Sequence, residues 1–454
     1  MEDQYSWPWV EAQVEKTIEV WNGCAQRSIP SFPRYAAREQ RKREKAYDQG
    51  LRAVQREARK APRNAAERLL VQQHITEIFP HFAATALGLE NEAVQLLTDS
   101  FLPVGTQLAR WARSFDATLS MDDTIQACRN AWTSCGLQAL LGQPMELSPS
   151  ILAYSLLYPY TDNHLDDPDL SATQKLRFSG RFRQRLRGQG ISASIPREAA
   201  VWTLVSLIEA QYSRSRCPQI FECLLAIHQA QEQSIAQLKN GGPFNNSVDN
   251  LELLRVTCAK GGTSVLADAC LAQPWLTPQE SSFSFEWGVL LQLGDDLQDV
   301  HEDLDRGSTT LFTRAVAQGE PLDSLVRQLL HFSQQVAESM DHLPHGTASL
   351  KELLRMSWRS LILMAVANAY RFFSPAFLDE LEHSSSFRFD FLRARNEKLT
   401  GPQALYDVIF DAFLEAGPGA GHDARGGPPL PRESSLAPDV HPVAELHAMS
   451  NSLA

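Results

Sequence analysis

Between residues 292 and 307 the chain shows two faces at helical spacing. Leu293, Leu297, Val300 and Leu304 recur at i, i+4, i+7 and i+11, while Gln292, Asp295, Asp296, Asp299 and Asp303 keep the same period on the opposite side. The first face is made to pack. The second gathers carboxylates that repel one another unless a cation stands among them. A row of acids beside an apolar stripe therefore reads as a divalent-metal site facing a cavity, with a solvated acidic helix face as the alternative.

Helical periodicity continues through 201–212, 220–238, 251–271 and 353–373, and strand alternation and Asn-Gly hairpin signals are missing. The pattern predicts an all-α protein. Breakers at Cys217-Pro218, Gly241-Gly242-Pro243 and 274–278 separate the helices. Lys260, Gly261, Gly262, Thr263 and Ser264 are expected to interrupt the helix that begins near Leu251, since each glycine costs about 1 kcal/mol relative to alanine inside a helix. Close packing against a neighbouring helix would be one gain that offsets this cost.

A second acidic cluster stands at 158–169, YPYTDNHLDDPD, directly after the apolar run 151–157. Asp162 and Asp166 are one turn apart and Asp167 follows at once. Pro168 should stop the helix near Asp167, and Ser171 with Gln174 three residues on reads as a capping box that opens the next helix. The carboxylates then sit at a helix mouth, where they can reach a metal without being buried unpaired. Two such mouths suit a trinuclear magnesium site that clamps a diphosphate, because Mg²⁺ takes one or two carboxylates together with waters and phosphate oxygens.

At these residues the chain resembles the class I isoprenoid synthases, and within them the squalene and phytoene synthase group. The stretch QLGDDLQDVHEDLDRG is similar to that group's second aspartate-rich motif through Gln292, Leu293, Asp295, Leu297, Asp299, Val300, Glu302, Asp303, Arg306 and Gly307. Asp162, Asp166 and Asp167 resemble the first. The likeness covers residues 120–380 and extends to large bacterial terpene cyclases. It departs from the squalene and phytoene pattern at Tyr158, Pro159, Tyr160 and Thr161, where an Arg is usual, and the group's N-terminal signature is missing.

The resemblance implies one large helical core at 116–415, preceded by a helical extension at 1–115, and the Gly/Pro/Ser-rich composition of 416–454 predicts a disordered tail. It implies three Mg²⁺, held by Asp162, Asp166 and Asp167 on one side and by Asp295, Asp296, Asp299 and Asp303 on the other, with Asp162, Asp166, Asp299 and Asp303 the essential set. Gln292, Lys260, Arg306 and the backbone at Gly261 and Gly262 would face the substrate. The activity implied is ionisation of an allylic prenyl diphosphate, followed by cyclisation or by head-to-head condensation to a terpene. The alternative is a non-catalytic helical subunit or lipid-surface scaffold that retains the fold.

Charge and composition narrow the rest. With 42 Lys and Arg against 54 Asp and Glu the net charge is −12, a poor match to nucleic acid. Seven cysteines without CxxC spacing favour the reduced thiols of a cytoplasmic protein over a disulfide framework or zinc site. MEDQYSWPW is unlike a signal peptide, and no apolar run is long enough to span a bilayer. His164 and His301 lack an HExxH spacing.

Residues 34–68 hold twelve Lys or Arg against five acids, either a solvated helix or a surface that meets anionic lipid or covers the diphosphate. Lys175, Arg177, Arg181, Arg183, Arg185 and Arg187 form a second basic set, read as surface groups of which one could reach the leaving group. Asp122 and Asp123 read as charges at a helix N-terminus. Tyr154, Tyr158, Tyr160, Trp202, Tyr212, Phe285 and Trp287 would line a hydrocarbon cavity or belong to ordinary core.

Overall fold

Prolines and hydroxyl caps decide where many of the helices begin. Ser148 accepts a hydrogen bond from the Ile151 N–H ahead of Pro149, and Thr277 with Glu280 forms a capping box ahead of Pro278. Ser171 and Gln174 make the expected capping box, and Asp123 accepts from the N–H and Oγ of Ser120 in front of its helix.

The computed structural model describes residues 8–25, 27–60, 64–167, 169–238 and 249–399, apart from a few side chains that include Asp166. Pro168, the Gly241-Gly242-Pro243 breaker and the tail at 416–454 lie outside the described residues. The protein is all-α, with no strand among the described residues. In chain order the helices are α1 Pro8–Gly23, α2 Ala37–Ala58, α3 Ala65–Phe82, α4 Asn91–Leu96, α5 Leu102–Phe115, α6 Met121–Leu140, α7 Pro149–Asp166, α8 Ala172–Leu186, α9 Pro196–Gln211, α10 Pro218–Leu238, α11 Asn250–Ala272, α12 Pro278–Gln298, α13 Val300–Arg306, α14 Leu311–Ala317, α15 Asp323–Asp341, α16 Ala348–Asn368, α17 Pro375–Glu382 and α18 Phe389–Leu399. Among the described residues no helix is long and apolar enough to cross a membrane.

The described residues within 8–31, 133–347 and 369–374 form one compact unit, and those within 32–132, 348–368 and 375–399 another. This division cuts across the three-part reading of the sequence. α1 joins the first unit because it packs on α11 and α15, with Lys16 donating to Ser282 at 2.8 Å and Arg255 of α11 paired with Glu15.

In the first unit α11 is the central helix, in contact with α1, α7, α10 and α12. It runs unbroken from Asn250 to Ala272, so the expected interruption at residues 260–264 does not occur. The glycines serve close packing instead. A Cβ on Gly261 would stand 2.5 Å from both the Gly288 carbonyl oxygen and the Gln292 Cβ, and one on Gly262 would strike the Phe285 ring at 2.4 Å. Contact with α12 at backbone distance is what the glycines permit. All seven cysteines are free thiols, and the Sγ atoms of Cys223 and Cys270 lie 3.4 Å apart between α10 and α11.

In the second unit α2 packs on α3 and turns Gln40, Glu44, Tyr47 and Asp48 inward. Gln40 donates to the carbonyls of Glu382 and Ser385, Glu44 pairs with Arg388 at 2.6 Å, and Asp48 pairs with Arg395 at 2.6 Å.

Candidate functional site

The C-terminal part of α12 and all of α13 carry the richer carboxylate set. Asp299 (φ −92°, ψ 8°) joins the two helices, yet the Asp299 N–H still donates to the Asp295 carbonyl at 2.9 Å, and the Asp303 N–H to the Asp299 carbonyl at 2.8 Å. The joint therefore preserves the helical register, and Asp295, Asp299 and Asp303 follow one another a turn apart. Asp295 is exposed, while Asp299 and Asp303 are half-buried. On the packing face Leu293, Leu297 and Val300 are fully buried, and Leu304 is half-buried.

Asp296 departs from the expected exposed row. It is only 8 % exposed, its Oδ1 accepts from Gln292 Nε2 at 2.8 Å, and its Oδ2 accepts from Thr257 Oγ1 of α11 at 3.4 Å. Asp296 follows Leu293 by three residues and precedes Val300 by four, which sets it on the flank of the packing stripe. Burial pushes its carboxyl up to about 7, against the pull of the Gln292 hydrogen bond. Burial, and then the neighbouring Asp299, also raise Asp303 above the usual carboxylate range. The Lys260 ammonium of α11 acts the other way on both acids, so it lies within electrostatic reach of each. Arg306 is exposed and pairs with Glu302 one turn earlier, while Gln292 is engaged with Asp296.

The other carboxylates close α7. Asp162 is 8 % exposed and accepts from Gln231 Nε2 of α10 at 3.0 Å. Asp166 is the last residue of the helix, and its side chain is outside the described residues. Asp167 caps the end, half-buried, and accepts from the Asp169 N–H at 2.9 Å. His164 packs against Phe178, and burial followed by the Arg197 charge holds its imidazole below its usual range. Three of the following arginines are committed elsewhere: Arg181 to Glu198, Arg183 to Glu232 and Arg185 to Glu209. That correction leaves none of these three aimed at a leaving group.

Contacts along α11 relate the two sets. The Ser150 N–H donates to Gln211 and the Tyr212 hydroxyl to the Leu271 carbonyl, so α7 begins beside the end of α11; the Tyr154 hydroxyl then donates to the Ser264 carbonyl at 3.0 Å. The two helices run antiparallel. About two turns on from Tyr154 stands Asp162, and about two turns back from Ser264 stands Thr257, the partner of Asp296. Both carboxylate sets thus lie toward the N-terminal end of α11.

Oxygen is the donor throughout, which suits a hard cation such as Mg²⁺ better than zinc or copper. Among the described residues no group of three or more His, Cys, Asp or Glu side chains is gathered to hold a metal. A magnesium ion that takes one or two carboxylates and fills its shell with water and phosphate oxygens needs no such group. The aromatic candidates are largely structural: Tyr154 and Tyr212 bond backbone carbonyls, Trp202 Nε1 donates to the Ile191 carbonyl, and the Phe285 ring covers Gly262. Gln231 and Thr257, which orient Asp162 and Asp296, were not expected from the sequence. Thr257 is a polar residue in a largely apolar stretch, whereas Gln231 stands among His228, Gln229, Glu232 and Gln233 with no local signal of its own.

Neither a protein-family model nor a curated protein matches the chain.

Proposed function

We propose that this protein is a Mg²⁺-dependent class I isoprenoid synthase, which ionises an allylic prenyl diphosphate and turns the cation into a terpene by cyclisation or head-to-head condensation. The observation that carries this reading is the shared end of α11, toward which lie both Asp162 of α7 and Asp296, from which Asp299 and Asp303 continue the helix, with Lys260 in electrostatic reach of Asp296 and Asp303. Bound Mg²⁺ would neutralise charge building on the departing diphosphate.

The chain's own residues supply the rest. Asp162, Asp166 and Asp167 would hold metal on one side, and Asp295, Asp299 and Asp303 on the other. Lys260 adds a fixed ammonium beside them for the anionic leaving group. Asp296, bonded to Gln292 and Thr257, orients the wall that carries these acids and is not itself a ligand. The acids are metal ligands and not general bases.

The test is incubation of the pure protein with geranyl, farnesyl and geranylgeranyl diphosphates and Mg²⁺, followed by mass spectrometry and assay of released diphosphate. A hydrocarbon of one chain length means cyclisation, and a doubled carbon count means condensation. Absence of diphosphate release from every substrate would reject the activity.

A further inference from the structure

The outer face of α2 has no part in the chemistry above. Arg38, Arg41, Lys45, Arg52, Arg56 and Arg59 are all exposed, and their spacing of three, four, seven, four and three residues keeps them on one side of the helix. The face turned inward carries Gln40, Glu44, Tyr47 and Asp48. Asp48 falls in the seven-residue gap of the row but is paired with Arg395, and none of the six cations has an ion-pair partner among the described residues. Each is therefore available to an external anion. At the helical rise the row is about 30 Å long, on a chain whose net charge is −12.

Such a row matches a flat anionic surface. α3 packs on the side of α2 away from this row, through Gly50, Val54 and Glu57, so the row faces outward. Exposed cations set side by side are drawn to anionic headgroups, at about 1 kcal/mol for each Lys or Arg near the surface. A nucleic-acid partner fits less well. Stacking on bases calls for exposed aromatic rings, and the one aromatic residue of α2, Tyr47, is buried against Phe82 and Phe387. We infer that the outer face of α2 docks this protein on an anionic lipid surface, with Arg38, Arg41, Lys45, Arg52, Arg56 and Arg59 against the headgroups. This inference stands apart from the proposed chemistry.

Co-sedimentation of the full chain with phosphatidylcholine vesicles, with and without about 30 % phosphatidylserine, tests it. The expected result is binding to the anionic vesicles alone, weakening steeply with added salt. A triple variant, Arg41→Glu, Lys45→Glu and Arg52→Glu, should lose about tenfold or more in affinity. A charge-matched control, Arg27→Glu, Arg177→Glu and Arg216→Glu, changes exposed arginines elsewhere by the same net amount and should bind like the parent. Circular dichroism checks that both variants remain folded, and the salt titration of the parent provides a readout that needs no variant. The inference is overturned if the parent fails to bind anionic vesicles, if its binding ignores salt, if both variants lose binding equally, or if a duplex oligonucleotide binds the stripe more tightly than the vesicles do.

Discussion

Gly261 and Gly288 touch backbone to backbone across α11 and α12, so closely that a Cβ on Gly288 would stand 2.1 Å from the Gly261 carbonyl oxygen. Four residues beyond Gly261 and Gly288 respectively on the site side come Thr257 and Gln292, both bonded to Asp296. The glycine contact therefore sets how deeply the acidic wall lies against α11.

Gly288→Ala should destabilise the protein by about 1–3 kcal/mol, since the neighbouring backbone cannot yield as a flexible side chain would. Gly180→Ala in α8, where nothing lies within 4 Å of the new Cβ, should instead stabilise by up to about 1 kcal/mol through helix propensity. Urea midpoints of the two variants should move in opposite directions, and equal shifts would contradict the packing role.

Asp162→Ala and Asp299→Ala should each reduce diphosphate release about 100-fold or more while leaving helicity by circular dichroism unchanged. Chelation by EDTA should abolish turnover, and added Mg²⁺ should restore it. Full activity in either variant would remove that carboxylate from the site.

Gln231→Leu takes away the amide that donates to buried Asp162, and the loss should cost about 1–3 kcal/mol. Adding Asp162→Asn to the same chain should recover part of it, because the charge that needed the donor is gone. A thermal melt of the single and double variants decides the point; additive losses would mean that the pair does not interact.

Asp296 gives stability a pH dependence whose sign follows from burial. Its carboxyl is raised from 3.8 to about 7 in the folded protein, so across that interval the native state holds a proton that the unfolded chain has released. Its contribution to stability is full below the unfolded value and is lost as pH rises through about 7. Asp296→Asn should accordingly raise the Tm at pH 8 relative to the parent by roughly 2–4 °C for each kcal/mol of charge burial relieved, with a smaller difference at pH 5. Parallel Tm–pH curves for parent and variant would overturn this assignment.

The helices were legible because their signals are local. The 274–278 breaker and the Ser171–Gln174 pair depend only on neighbours in the chain, and the 293, 297, 300 stripe is buried as its period requires. What resisted reading depends on tertiary contact. Gly261 and Gly262 resemble a helix break until Gly288 and Phe285 are seen against them. Asp296 shares the period of the ligand face as well as the edge of the packing face, and only Thr257 on another helix decides between them. Gln231 is separated from Asp162 by 69 residues, and no pattern within α10 singles it out.

The helices that build the lysine-bearing wall, α10, α11 and α12, are consecutive in the chain, each packed on the next. Pairings between successive elements close short loops and form quickly, whereas α7 must be brought in across a longer stretch of sequence. During synthesis this wall can take shape soon after the ribosome releases residue 303, leaving the docking of Asp162 onto Gln231 as the slower event that brings α7 to it.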